Sequence, residues 1–351
     1  MSKLDKIWFT RCPVPTATGL AYKLGWLEEE FKSEGIALGT LQEVGGELAR
    51  HHYDHQLPTL IREGGNLFAI PAKAQGAPTR LIGLTWIEEG QSILVRPDSD
   101  IRSAADLEGK RLALPVFRAA DIAENKRGRS IARGMSLQGY KGALASAGLT
   151  LDDVRLVEVG GEALDGATGA VRENQGRLWD GLGPLIDGEV DAVYVKGAAA
   201  AEAARQQGAV VGIDLDRLPE RRFRVNNGTP RPITVHEDFL ENHFDLLVRF
   251  LAQTLRAAEW AKTHLGEVHE ILQEETRAGS EGVKAAYRDG FHLSLAPDLS
   301  RERVELFRQQ KDFQLIHGFL DRDFDYDAWI DFRPLEEAYK RLKLADQAAA
   351  A

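Results

Sequence analysis

Ile101-Arg102-Ser103-Ala104-Ala105-Asp106-Leu107-Glu108-Gly109-Lys110-Arg111-Leu112-Ala113-Leu114-Pro115 holds a short helix, a glycine stop and an apolar strand in direct succession. That succession recurs on both sides. Toward the N-terminus, Lys6–Thr10 (KIWFT), Gly35–Leu38, Arg80–Thr85 (RLIGLT) and Ser92–Val95 (SILV) read as strands. A helical pattern runs from Gly19 to Phe31 after the break at Pro13 and Pro15. Toward the C-terminus come a helix over Ser130–Ala147 ended by Gly148, and a strand over Val154–Val159. A strand over Ala192–Val195, an Ala-rich helix over Ala198–Gln206 and a strand over Ala209–Leu215 follow. Strands alternating with helices predict an α/β fold with largely parallel sheets. After one more strand, Pro232–Val235 (PITV), every segment reads helical: Glu237–Leu265, Glu267–Glu275, Glu281–Arg288, Ser300–Leu320 and Tyr326–Leu344.

The chain has 351 residues, a length that suits about two domains. Residues 1–98 with 232–351 are expected to form one lobe, carrying the C-terminal helices, and 99–231 a second. A cleft between two such lobes suits a small polar ligand, bound by loops at strand ends. Lys and Arg number 44 against 54 Asp and Glu, a net charge of -10. That balance excludes a nucleic-acid footprint and a polybasic membrane anchor. No apolar run approaches a membrane span. The start MSKLDKIWFTRCPVPT lacks the apolar core of a secretory signal,. With a single cysteine, which fits a reducing compartment, a cytoplasmic protein is expected.

That cysteine lies in Phe9-Thr10-Arg11-Cys12-Pro13-Val14-Pro15-Thr16, at a strand end and just before a helix. Helix N-termini and neighbouring cations favour a thiolate; a small buried apolar residue is the alternative. His51-His52-Tyr53-Asp54-His55 offers either a histidine partner for the thiol or an i, i+4 pair. The pair has no third ligand, so no metal is expected. Ile61-Arg62-Glu63-Gly64-Gly65-Asn66 combines a guanidinium with a glycine pair. Backbone amides beside a guanidinium suit an oxyanion, while a helix C-cap with left-handed Gly64 is the plain reading. Asp321-x-Asp323-x-Asp325 lacks the glycine and glutamate of a calcium loop,. Gly160-Gly161 reads as a turn, and no dinucleotide fingerprint or P-loop occurs, so no cofactor is expected,.

Together these stretches resemble the type II periplasmic-binding-protein-like family, in its sulfonate, nitrate and taurine solute-binding branch. Within it, they are most similar to the sulfinate desulfinases, which cleave carbon–sulfur bonds. Cys12-Pro13-Val14-Pro15, His52, Arg62 and Gly64-Gly65 carry the likeness. Ala104–Arg111, Asp152-Asp153-Val154, Val190–Tyr194 and Asp327-Ala328-Trp329 add to it. The resemblance implies that Cys12 is the essential cysteine and His52 its hydrogen-bonded partner. It implies that Arg62 and the Gly65 amide hold a sulfinate, and that Thr10 replaces a serine near the thiol. His55 stands where the desulfinases have a tyrosine, and the tryptophan of their aryl pocket has no counterpart around Met135. The implied ligand is a small organic sulfinate or sulfonate, and a monomer is the default. An enzyme releasing sulfite and a non-catalytic oxyanion-binding protein both remain open. A thiamine-pyrimidine synthase relative would need a cysteine-rich iron site that one cysteine cannot provide. Whether Cys12 is nucleophile or proton donor is also open.

Overall fold

Strand β1 (Lys6–Thr10) is the first element of a computed structural model that describes residues 4–12, 14–117, 119–124, 130–160, 181–288 and 290–350. Pro13 and Gly161 lie outside the described residues. β1 pairs in parallel with β2 (Ala37–Thr40) and with β3 (Leu60–Glu63). β10 (Arg231–His236) then runs antiparallel between β3 and β4 (Thr79–Thr85), giving the order β2-β1-β3-β10-β4.

After β4 the chain crosses to the second lobe. β5 (Ser92–Val95) pairs antiparallel with β8 (Val193–Val195) and β9 (Val210–Asp214). β6 (Arg111–Pro115) and β7 (Arg155–Val159) form a parallel pair. A bridge from Leu112 to Ala192 joins that pair to the start of β8. Among the described residues, two segments cross between the lobes, 86–91 and 215–230.

Three expectations are corrected here. The sheets are mixed rather than largely parallel, because β10 returns antiparallel after the second lobe is complete. Ser92–Val95, expected in the first lobe, hydrogen-bonds within the second sheet; its apolar pattern says that it is buried, not which sheet it joins. The long helices are broken. Gly25 adopts the left-handed conformation between α1 (Ala17–Lys23) and α2 (Trp26–Lys32). His243 leaves helical geometry between Glu237–Asn242 and Phe244–Ala261. Ile330 is extended between Tyr326–Trp329 and Arg333–Ala350, where Pro334 suits a helix start rather than its interior.

The C-terminal helices cover the first sheet. Phe244–Ala261 buries Leu247, Phe250, Leu251 and Leu255 in a core shared with Phe9, Leu20 and Ile233. On the other face Phe307 and Trp329 pack against Ile70, Leu81 and Leu84. Covered on both faces, β3 and β10 are buried along their whole length. Burial on that scale gives about 1.5–3 kcal/mol per large apolar side chain, and the strand ends are thereby fixed.

Candidate active site

β1 and β3 are parallel neighbours with Thr10 in register with Arg62. Their C-terminal ends therefore emerge side by side, the usual ligand position in an open α/β sheet. β1 delivers Thr10, Arg11 and Cys12 there. The chain turns through Val14 N–H to Cys12 O at 2.8 Å. It then enters α1, where Thr16 caps the Gly19 amide at 3.0 Å. The Cys12 thiol is free and partly exposed.

β3 delivers Arg62, Glu63 and the glycine pair. Gly64 and Gly65 do not end a helix, which corrects the C-cap reading. They follow a strand, and Gly65 is the N-cap of α4 (Asn66–Ala74) in an extended conformation. A Cβ on Gly64 would stand 2.8 Å from the Arg62 guanidinium carbon, and one on Gly65 would overlap the Asn227 amide. Their bareness thus makes room for the arginine on one side and Asn227 on the other. The Leu67 amide donates to Asn227 Oδ1 at 3.0 Å. Among the described residues the Gly65 amide has no acceptor; at a helix N-terminus it suits an anion.

Arg62 is buried, with 1 % of its surface exposed. Nε donates to His52 O at 3.3 Å and Nη2 to Gly65 O at 3.1 Å. Nη1 is buried with no hydrogen-bond partner. Burial pulls its pKa down to about 10; the Cys12 sulfur opposes the shift and the Arg231 charge adds to it. The thiol and a second arginine are thus its electrostatic neighbours.

α3 (Gly46–Asp54) carries His52, which is buried against Phe68 and Tyr53, with ring centroids at 5.4 and 5.2 Å. Its Nδ1 lies 3.0 Å from Thr10 Oγ1. Gln42 Nε2 donates to the same hydroxyl at 2.7 Å, and also to Arg11 O. Thr10 Oγ1 thus accepts from Gln42 and shares a hydrogen bond with Nδ1, which fixes the orientation of the imidazole ring. The ring is neutral: burial first, and the Arg62 charge second, hold its pKa well below 6.5. The expected Cys12–His52 hydrogen bond is not formed. Thr10 takes its place, because its position on β1 faces α3 while Cys12 has already left the strand.

His55 ends α3 at a positive φ of 56°. Its Nε2 donates to His52 O at 3.2 Å, and its Nδ1 is buried without a partner. Burial, Arg62 and His52 together lower its pKa well below 6.5, against the pull of that backbone bond. His51 turns away to Asp54 at 2.8 Å. Among the described residues no three His, Cys, Asp or Glu side chains gather as a metal site.

Cys12, His52, Arg62, Gly64, Gly65, Thr10 and His55 are therefore neighbours at one end of β1 and β3. Sequence reasoning passed over Gln42, Phe68, Arg231, Glu89 and Lys196. Arg231 precedes the apolar PITV run and reads as its boundary. Gln42, 32 residues from Thr10 in the chain, gives no local signal.

No family model matches the chain. It is homologous to 2'-hydroxybiphenyl-2-sulfinate desulfinase of Rhodococcus erythropolis, 26% identical over 93% of this chain and 91% of that protein. A solved cysteine-to-serine mutant of DSZB in complex with biphenyl-2-sulfinic acid superimposes with a TM-score of 0.75 at 24% identity, covering 96% of this chain and 99% of that one. The periplasmic aliphatic sulphonate binding protein SsuA from Escherichia coli gives a TM-score of 0.64 at 16% identity, covering 93% and 92%. The fold is thus the binding-protein-like α/β fold expected from the sequence. The cytoplasmic expectation is corrected: a periplasmic protein shares this fold, so neither the fold nor a lone cysteine places the chain in the cytoplasm.

Proposed function

We propose that this homologue of 2'-hydroxybiphenyl-2-sulfinate desulfinase is a hydrolase that cleaves the carbon–sulfur bond of an organic sulfinate. The overall change is R–SO2⁻ plus water to R–H plus hydrogen sulfite. One observation carries the reading: a free thiol at the end of β1 stands beside a buried guanidinium with an unpartnered Nη1 and a helix-N-terminal glycine amide without an acceptor. Such a corner receives a small oxyanion and presents an acid–base group to it.

Arg62 and the Gly65 amide would bind the two sulfinate oxygens. Phe68 and Tyr53, with ring centroids 4.8 Å apart and both partly exposed, would receive the organic group beside Arg62. His52, neutral, is held in place by Thr10. No base is hydrogen-bonded to the thiol among the described residues, which favours Cys12 as a proton donor over a base-activated nucleophile. In that route the thiol proton passes to the carbon bearing sulfur, and the C–S electron pair stays with that carbon. Sulfur dioxide leaves and adds water to give hydrogen sulfite, and a proton returns to the thiolate.

Incubation with aryl and alkyl sulfinates, scored for sulfite, tests the reading. Cys12→Ser is expected to lower sulfite release by roughly 10²–10⁴-fold while benzenesulfinate still binds. Full activity in Cys12→Ser sinks the thiol mechanism. The second reading, a sulfonate-binding protein without catalysis, rests on the likeness to SsuA. It is favoured if no sulfinate turns over while sulfonates bind tightly by calorimetry.

A further inference from the structure

Arg62 is not the only buried cation at this end of the first sheet. β10 runs antiparallel to β3, with Ile233 opposite Glu63 and the Gly64 amide bonded to Pro232 O at 3.3 Å. The same register carries Arg231 to the level of the glycine pair. Arg231 is 2 % exposed. Its Nη2 is ion-paired to Glu89 Oε1, and its Nε is buried without a partner. Glu89 lies on the crossover between β4 and β5. Lys196, directly after β8 of the second sheet, approaches the same Glu89 oxygen at 3.4 Å and donates to Asn227 O at 2.8 Å. Asn227 is the residue against which Gly65 packs. Gly228 lies directly over the cluster: a Cβ there would meet Arg231 Nη2, Glu89 Oε1 and Lys196 Nζ at 2.7, 2.9 and 3.2 Å.

Arg62, Arg231 and Lys196 are buried bases, and Glu89, Glu63 and Asp216 are the buried carboxylates around them. Burial pulls the Lys196 pKa down, against Glu89 and Asp216, and pushes the Glu63 carboxyl up, against Thr18, Arg231 and Thr85. Arg62 Nη1 and Arg231 Nε remain buried donors without a partner. An unanswered buried donor is costly, and a bound anion answers both. Arg231 also lies within electrostatic reach of Cys12, which helps hold its guanidinium charged.

We propose that Arg231, gripped by Glu89 and tied to the second sheet through Lys196, is a second cation positioning the bound oxyanion, so that anion affinity depends on a charge supplied by the second lobe. This inference rests on the reading of Arg62 and Gly65 as an oxyanion site, and not on turnover. Arg231 and Lys196 act as positioning residues.

The single cysteine supplies the readout. Benzenesulfinate bound beside Arg62 protects Cys12 from iodoacetamide, and the concentration giving half-protection measures its affinity without any catalysis. Lys196→Met is expected to raise that concentration about tenfold, and Lys196→Arg to stay within about threefold of the parent protein. A packing role alone would not be rescued by a longer cation. Lys196→Met within about twofold of the parent, or equal losses in the Met and Arg variants, overturns the inference while leaving the oxyanion site standing. A parent protein that benzenesulfinate does not protect overturns the oxyanion reading and this inference with it. Where Lys196→Met does not fold, Lys196→Gln, which keeps a donor for Asn227 O, is read by the same two outcomes.

Discussion

Arg62 and Arg249 are both arginines embedded in the first lobe, and they are held in opposite ways. Arg249, on the Phe244–Ala261 helix, donates through Nε to Glu30 Oε1 at 2.6 Å and through Nη2 to Glu30 O at 2.8 Å, and pairs with Glu34 through Nη1. Its charge is answered by carboxylates that leave no vacancy for a ligand. Arg62 is more deeply buried and meets only carbonyl oxygens, with one nitrogen left over and another arginine nearby. An arginine that is satisfied within the fold serves stability. One that is charged, buried and unanswered is arranged for something that arrives from outside.

The widest test of that contrast exchanges each arginine for methionine. Arg62→Met is expected to lower kcat/KM for a turned-over sulfinate by about 10²–10³-fold, the usual cost of removing an oxyanion donor. Arg249→Met is expected to cost about 1 kcal/mol of stability and leave sulfite release unchanged. Steady-state kinetics and thermal melts on both variants read the difference. Equal kinetic effects would break the comparison.

A narrower test leaves Arg62 in place and displaces it. Gly64→Ala puts a methyl group 2.8 Å from the guanidinium carbon, and the long side chain yields before the backbone does. A shift approaching 1 Å at a positioning group costs up to about 10²-fold, so a loss of roughly tenfold in kcat/KM is expected. Melting is expected to change little, because φ at Gly64 is not in the left-handed region. A variant that melts early with normal kinetics would show that the glycine serves folding rather than Arg62.

The same contrast explains what the sequence made legible. β1 reads at once, since Lys6-Ile7-Trp8-Phe9-Thr10 is an apolar strand with a polar end, and its cysteine is conspicuous by being alone. β3 does not. Leu60-Ile61-Arg62-Glu63 is buried at every position yet is half charged, so the pattern that announces a buried strand is broken by the residues the site needs,. His52 could be ranked as a site residue but not given its partner. Thr10 and Cys12 are two residues apart in the chain, and only the direction of β1 decides which of them reaches α3. Arg231 and Lys196 were out of reach because their meaning lies in Glu89, which each approaches from a different sheet.

The smallest expected effect concerns the histidines that share Arg62's surroundings. His52 and His55 both have pKa values held well below 6.5 by burial and by the Arg62 charge. In the unfolded chain each takes up a proton as the pH falls through about 6.5, while in the fold each stays neutral. The unfolded state then binds more protons, and stability falls with falling pH by up to about 1.4 kcal/mol per pH unit for each imidazole. Asp216, whose pKa burial raises to about 6, works in the opposite direction at lower pH, so the slope of the parent protein alone is ambiguous. Removing one imidazole isolates the effect. His55→Gln keeps a donor for His52 O and does not titrate. The stability of the parent relative to His55→Gln is therefore expected to fall as the pH drops from 6.5 to 5.5, by about 1 kcal/mol, measured by urea unfolding at each pH. A difference that stays flat over that interval would mean that His55 is protonated in the fold. It would then stand as a further cation beside Arg62, and the ligand would meet a charged donor there besides Arg62 Nη1.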